Sequence, residues 1–257
     1  MKLSVVIITC NEAGNIRACI ESVAFADEVV VLDSGSSDDT VAIAREAGAR
    51  VSTSADWPGF GPQKNRALAL AQGEWVLSLD ADERVTPELA AEIRQVLENP
   101  GHQAYDMPRL SSFCGRFIRH SGWWPDRVLR LFRRGTAHFT DAVVHERVVG
   151  AGETGQLTAH LLHYTYPDLE TALVKMNRYS SDSAAAMFAR GRRASLWSAL
   201  GHGSWTFIRI YFVRRGFLDG RHGFVLAAVA GMGSFSRYAK LMFLSGQQAG
   251  TRPHEDS

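Results

Sequence analysis

The sequence predicts an α/β domain on a mostly parallel sheet with flanking helices, followed by a helical C-terminal section. Three observations carry this. Compact Val/Ile/Leu runs at residues 3–9, 28–32 and 75–79 are short enough for strands and apolar enough to be buried on both faces. Apolar residues at helical spacing fill the intervals, an alternation that brings successive strands parallel through crossover helices. Beyond Pro167 the strand signal gives way to helical patterns. A composition of 46% hydrophobic and 21% charged residues excludes disorder and a fibrous fold.

Each element follows in order. The N-terminal MKLSVVIITCNE turns polar too soon for a secretory segment and reads as the first strand, ending in Thr9-Cys10-Asn11-Glu12. A helix over 15–23 leads to the second strand, closed by Asp33-Ser34-Gly35-Ser36. Ser36-Ser37-Asp38-Asp39 then caps a helix over 39–47 that Gly48 stops. A helix over 63–71 closes at Gly73, and the third strand runs into Asp80-Ala81-Asp82-Glu83. Thr86 caps, and Pro87 opens, an amphipathic helix over 87–97. From Tyr105 to Tyr166 the pattern turns aromatic and arginine-rich, with runs at 143–149 and 157–164 read as mixed or antiparallel strands. A polar-faced helix is expected over 169–188, and the polar tail 247–257 is expected to fray. The expected division is a catalytic domain over 1–166, with halves 1–104 and 105–166, and a helical section over 167–257.

Charge is polarised along the chain. Residues 1–104 hold 8 basic and 16 acidic residues, leaving 20 basic and 11 acidic in the remainder, so the halves carry about −8 and +9. Such a chain can offer its acidic part to a cation and its basic part to phosphates or an anionic membrane. Residues 194–208 and 224–236 carry no formal charge with His202 neutral, yet fall short of the roughly 18–20 apolar residues that cross a bilayer. Arg190, Arg192, Arg193, Arg209, Arg214, Arg215, Arg221, Arg237 and Lys240 surround them, and Asp219 is the only acid between Met187 and Phe243. Apolar faces bordered by Arg and by Trp197, Trp205 and Tyr211 describe segments lying in a membrane interface. A helical hairpin packed on the core or on a second subunit is the alternative.

The three polar clusters fall at the carboxyl ends of strands, where ligands bind in such sheets. Asp80 and Asp82, two residues apart, can converge on one divalent ion and the phosphates it bridges, and hard oxygen ligands select Mg²⁺ or Mn²⁺. The same triplet also occurs as a solvated turn. Asp33 ends another strand, where it can accept hydrogen bonds from a ribose or base. No GxGxxG follows the first strand and no GxxxxGK[ST] occurs, which disfavours dinucleotide oxidoreductases and P-loop NTPases. Cys10, Cys19 and Cys114 are odd in number and form no CxxC pair, which argues against a disulfide framework or zinc knuckle and for a reducing cytoplasm.

Four ordered blocks, SVVIITCNEAGNI, EVVVLDSGSSDDT, GPQKNRALALAQGEW and VLSLDADE, resemble the N-terminal half of family 2 glycosyltransferases. That resemblance implies the GT-A fold, with a Rossmann-like sheet, and a nucleotide-sugar donor. The later stretches WWPDRVLRLFRR, VHERV, HYTY and RGFLDGRHGF resemble the bacterial lipopolysaccharide core β-1,4-glucosyltransferase subgroup, which glucosylates the inner-core heptose.

Residue by residue, the resemblance implies that Thr9, Asn11 and Glu12 line the nucleotide pocket and that Asp33 reads the uridine. Lys64 and Asn65, preceding Arg66, match the block that approaches the pyrophosphate or base. Asp80 would face the ribose or sugar, Asp82 would hold the metal, and His163 of HYTY would be a third ligand. The alternative for His163, as for His145, is a hydrogen-bonded structural histidine. An inverting transfer needs charge stabilisation for the departing UDP and a carboxylate base for the acceptor hydroxyl. The base candidates are Asp126, Asp141 and Glu146, and the subgroup's pattern of HE before a strand puts Glu146 first and Asp126 second. Asp126 can instead pair with Arg127 or Arg130, and Glu146 with Arg147. Trp123 and Trp124 either stack on sugars or form a core pair. Arg127, Arg130, Arg133 and Arg134 form a basic strip suited to acceptor phosphates or carboxylates, and no nucleic-acid-binding motif accompanies it.

The expected activity is therefore metal-dependent transfer of a hexose, glucose, from a UDP-sugar to a lipid-linked core oligosaccharide, peripherally on the cytoplasmic face of the inner membrane. Two alternatives stand beside it. One is a family 2 transferase acting on a polyprenyl-phosphate or polysaccharide acceptor, and the other is a non-catalytic nucleotide-sugar-binding module. A sugar-1-phosphate nucleotidyltransferase lacks its signature, since residues 1–15 hold only Lys2 and Gly14 of the Gly, Lys and Arg it needs.

Overall fold

The computed structural model describes residues 1–141 and 146–249. His145, the first part of the strand expected at 143–149, and the tail from 250 lie outside the described residues. The chain divides into two compact units, one of Met1–Leu110 and Pro125–Tyr164, the other of Ser111–Trp124 and the chain from Thr165 onward.

The first unit begins with β1 (Leu3–Thr9), buried along its whole length, then α1 (Ile16–Ser22), β2 (Glu28–Asp33), α2 (Thr40–Glu46) and β3 (Arg50–Thr53). β3 escaped the sequence reading because Arg-Val-Ser-Thr offers one apolar residue. It is a half-exposed edge strand, held by its ladder to β2 rather than by burial. α3 (Phe60–Leu70) starts three residues before the expected 63, since Gly59 at φ 111° turns the chain and Pro62 sits in the first turn, where no amide donor is needed. β4 (Trp75–Asp80), β5 (Glu83–Val85) and α4 (Pro87–Glu98) follow, and the Thr86 hydroxyl caps α4 by accepting from the Leu89 amide at 3.2 Å.

The later strands are β6 (Ala104–Phe113), β7 (Arg116–Phe117), β8 (Asp126–Arg133), β9 (His138–Phe139), β10 (Val148–Val149), β11 (Thr154–Gln156) and β12 (Leu161–Tyr166). The main sheet runs β3-β2-β1-β4-β8-β6-β12-β5. Its first four strands are parallel, while β8 joins β4 and β6 antiparallel, β12 joins β5 antiparallel and β11 adds to β6 in parallel, so the sheet is parallel on one side and mixed on the other.

The period-2 alternation of strand side chains splits the core in two. Val5, Ile7, Leu77 and Leu79 pack with Ile16, Cys19, Leu89 and Ile93 of α1 and α4. Val6, Ile8, Val30 and Val76 pack with Ala67 of α3 and with Phe132 and Phe139. The chain leaves β1 toward β2 and β3, then returns to the other side of β1 at β4. This reversal makes the β1/β4 boundary the switch point of the sheet, at whose strand carboxyl ends ligands bind in such folds. Register places Thr9 opposite Asp33 and Ile8 opposite Asp80, so the polar ends of three strands finish level.

In the second unit, Phe113 and Arg116 pair across Cys114 (φ 49°) and Gly115 (φ 79°), two left-handed residues in succession, as a tight hairpin turn requires. Phe113, Ile118, Ala172 and Leu226 form its buried core. Helices α5 (Leu169–Ala189), α6 (Leu196–Ile208) and α7 (Gly220–Ala249) make up most of the rest. Asp168 caps α5, and a reciprocal Ser195/Ser198 capping box opens α6. α6 and α7 cross closely because Gly203 and Gly231 meet there; a Cβ on Gly203 would lie 2.9 Å from that of Phe235. Among the described residues, no helix is long and apolar enough to cross a membrane.

Candidate active site

At the ends of β1 and β4 the first unit gathers a chain of charges. Lys64, 3% exposed on α3, donates to Asp80 Oδ1 at 2.9 Å and to Glu146 Oε1 at 2.7 Å. The second Asp80 oxygen and Glu83 Oε1 both accept from Arg130 Nη2, at 2.5 and 2.6 Å. Glu83, wholly buried, also accepts from the Asp80 amide at 3.0 Å and from Arg109 at 3.4 Å. Arg109 in turn donates twice to Asp126 Oδ2, at 2.7 and 2.9 Å. The path Glu146, Lys64, Asp80, Arg130, Glu83, Arg109, Asp126 thus alternates sign throughout and ends in the two foremost base candidates. Burial pushes the Asp80 carboxyl up, but Arg130 and Lys64 on its two oxygens hold it far below the usual carboxylate range. Burial opposes the charge on Arg130 as well, and Asp80 and Glu83 override it, raising its basicity.

Asp82 and His163 form a second pair, with Nε2 3.3 Å from Oδ2. Pairing of β12 with β5 sets them together, His163 lying opposite Glu83, and the Tyr164 amide donates to the Asp82 carbonyl. Among the described residues no three His, Cys, Asp or Glu side chains cluster in a metal cage, and both Asp80 oxygens are taken by cations. One carboxylate and one imidazole still fit Mg²⁺ or Mn²⁺ held jointly with phosphates and water, the manner in which such ions are usually bound.

The residues expected around a nucleotide stand at the same edge. The Thr9 hydroxyl is buried with no hydrogen-bond partner among the described residues. Asn11, left-handed at φ 56°, accepts from the Ser37 amide at 2.8 Å and donates its own amide to Ser36 Oγ, joining the loops after β1 and β2. The Glu12 amide donates to Thr40 Oγ1, and its carboxylate accepts from Asn15. Asp33 accepts from the Gly35 and Ser36 amides at 2.9 Å and from the Ser36 hydroxyl, so its carboxylate braces its own turn. Asn65 exchanges two 2.8 Å hydrogen bonds with the Phe139 backbone and thereby ties α3 to β9. Asp141 is exposed.

The basic strip does not form. Arg127 pairs with Asp106, Arg133 with Glu74, Arg134 donates to the Gly73 carbonyl, and Arg130 is the buried clamp. Trp123 packs on Phe113 and Tyr166 within the second unit, the core alternative of the sequence reading. Sequence reasoning missed Glu83, Arg109 and the inward role of Arg130. The available signal was a third acid in the Asp80-Ala81-Asp82-Glu83 run and an arginine set among apolar residues of a strand, Arg130 between Leu129 and Leu131 in β8.

The family model of glycosyl transferase family 2 matches residues 4–151, the span holding most of this network. The chain is 34% identical to an uncharacterized glycosyltransferase of Rickettsia felis, across 93% of this chain and 89% of that protein. It is 30% identical to the lipopolysaccharide core biosynthesis glycosyltransferase LpsC of Rhizobium meliloti, across 94% of this chain and 92% of that one. Its fold is similar to S. aureus TarS 1-349 in complex with UDP, with a TM-score of 0.52 and 18% identity over 100% of this chain and 94% of that one. The level polar strand ends, a family match over more than half the chain and whole-length glycosyltransferase relatives agree, and the chain belongs to glycosyl transferase family 2.

Proposed function

We propose that the enzyme moves glucose, with inversion, from UDP-glucose to the inner-core heptose of lipopolysaccharide, with residues 1–166 carrying the chemistry. The observation that carries this reading is the meeting of Lys64, Asp80 and Glu146 where β1 and β4 end. The Thr9 hydroxyl, buried with no hydrogen-bond partner among the described residues, forms the nucleotide side with Asn11, Glu12, Asp33 and Asn65. A diphosphate arriving beside α3 competes for the Lys64 ammonium and releases Glu146. The freed carboxylate takes the proton of the heptose hydroxyl as that oxygen bonds to the anomeric carbon, and the bond from that carbon to the β-phosphate oxygen breaks with its electrons leaving on UDP. Asp82 and His163, with Asp80 behind them, would hold Mg²⁺ or Mn²⁺, which when bound offsets the charge of the departing diphosphate.

The UDP bound by TarS supports a uridine donor, and the core-biosynthesis role named for LpsC supports the acceptor. Residues 167–257 would make peripheral contact with the cytoplasmic face of the inner membrane, where that amphiphile lies. The test is UDP release from a panel of nucleotide sugars on adding deacylated core acceptor and Mn²⁺. UDP-glucose turnover with product on the heptose is expected. Turnover only with a polyprenyl phosphate moves the reading to that acceptor class, and binding without turnover makes the chain a binding module.

A further inference from the structure

The motif RGFLDGRHGF has no part in the chemistry above, yet together with the turn before it, it builds an exposed apolar surface on the second unit. After α6 the backbone widens into a π-turn over Arg209–Val213, Arg215 is left-handed at φ 55°, and a 3₁₀ turn over Gly216–Asp219 enters α7. Phe212, Val213, Phe217, Leu218 and Phe224 stand 46–61% exposed along this stretch. Arg209, Arg214, Arg215 and Arg221 are exposed among them. Asp219, the stretch's only acid, is 3% exposed and faces inward. It accepts from the Arg119 and His120 amides, the Ser121 hydroxyl and His120 Nδ1, all at 3.1 Å. Ser121 donates its amide to the Arg214 carbonyl at 2.9 Å, and a Cβ on Gly216 would lie 2.8 Å from the Ile210 carbonyl. The shape is therefore set before any partner arrives.

We infer that residues 209–224 are a preformed wedge that seats in an anionic phospholipid surface, with Asp219 as the residue that shapes it. This rests on the membrane contact proposed above and names the segment that makes it. Apolar side chains between arginines, with the single acid turned inward, complement anionic headgroups over acyl chains. A second copy is a poor occupant, because a two-fold interface sets each patch on itself and would oppose arginine to arginine. Val213 and Leu218 lack the ring face that base stacking needs.

The test is co-sedimentation of the full chain with phosphatidylcholine vesicles, with and without phosphatidylglycerol, alongside thermal melting and turnover on deacylated acceptor. Binding only to the anionic vesicles is expected. Arg209→Ala with Arg221→Ala should weaken it about fivefold per arginine, and Phe212→Ser with Leu218→Ser on the order of tenfold or more, with melting and soluble turnover unchanged. Asp219→Asn gives the sharpest sign. It makes the chain more positive, so simple charge attraction predicts tighter binding, whereas a wedge shaped by Asp219 predicts weaker binding. Equal binding to both vesicle types, no loss in the exposed-residue pairs, tighter binding by Asp219→Asn, or a dimer abolished by these changes would overturn the inference. Loss of soluble turnover in the unmutated chain would instead strike the transferase reading.

Discussion

Replacing Arg130 by Met tests whether the buried clamp holds the site together. The side chain is 7% exposed and bridges Asp80 and Glu83. Its loss leaves Glu83, with no exposed side-chain surface, with Arg109 3.4 Å away as its remaining cation among the described residues, while Asp80 keeps Lys64. Removing one partner of a buried pair costs about 3–5 kcal/mol, because an uncompensated charge stays behind. Asp80 is 31% exposed and recovers water, so the penalty comes mainly from Glu83, and the lower end, about 3 kcal/mol, is expected. In urea that is a midpoint fall of roughly 1.5 M at a slope of about 2 kcal/mol/M. Glu83→Gln measured alone and with Arg130→Met closes a double-mutant cycle, in which the double variant should be at least about 1 kcal/mol less destabilised than the sum. An Arg130→Met cost under about 1 kcal/mol, or simple additivity, would refute the clamp.

Glu146→Gln should lower kcat by about 10²–10⁴-fold, the usual worth of a positioned base, with UDP-glucose bound at least as tightly by calorimetry, since the carboxylate that competes for Lys64 is gone; substantial remaining turnover would shift the role to Asp126. Asp82→Asn and His163→Ala should each raise the Mn²⁺ concentration that half-activates the enzyme, and an unaltered metal titration removes that residue as a ligand. Asp80 titrates below its unfolded value of about 3.9, so the stability it contributes is complete above that pH and is lost as pH falls toward the folded value. Denaturant unfolding between about pH 2 and 5 should accordingly show a shallower acid loss in Asp80→Asn than in the parent; parallel curves count against this.

How much of this was legible beforehand differs by element. β1, β2, β4 and α4 were readable because apolar runs, helical spacing and a Thr-Pro start are properties of a few consecutive residues. β3 was not, since its neighbour rather than its composition makes it a strand. Lys64, Asp80 and Glu146 were each singled out, but as separate contacts to phosphate, sugar and acceptor hydroxyl. Their sharing of one ammonium joins residues 82 positions apart.

From sequence alone came the alternation of strands and helices, the polar strand ends, the acid-to-basic gradient and the family resemblance, all carried by local pattern and order. Tertiary structure alone decided that Arg130 turns inward to Asp80, 50 residues away, that Glu83 is buried between two guanidiniums, and that Asp219 braces a loop 100 residues upstream. The reason is that a charge on a strand points to core or solvent according to which strand lies beside it. Adjacency of β8 to β4 is a property of the assembled sheet, not of any window of the chain.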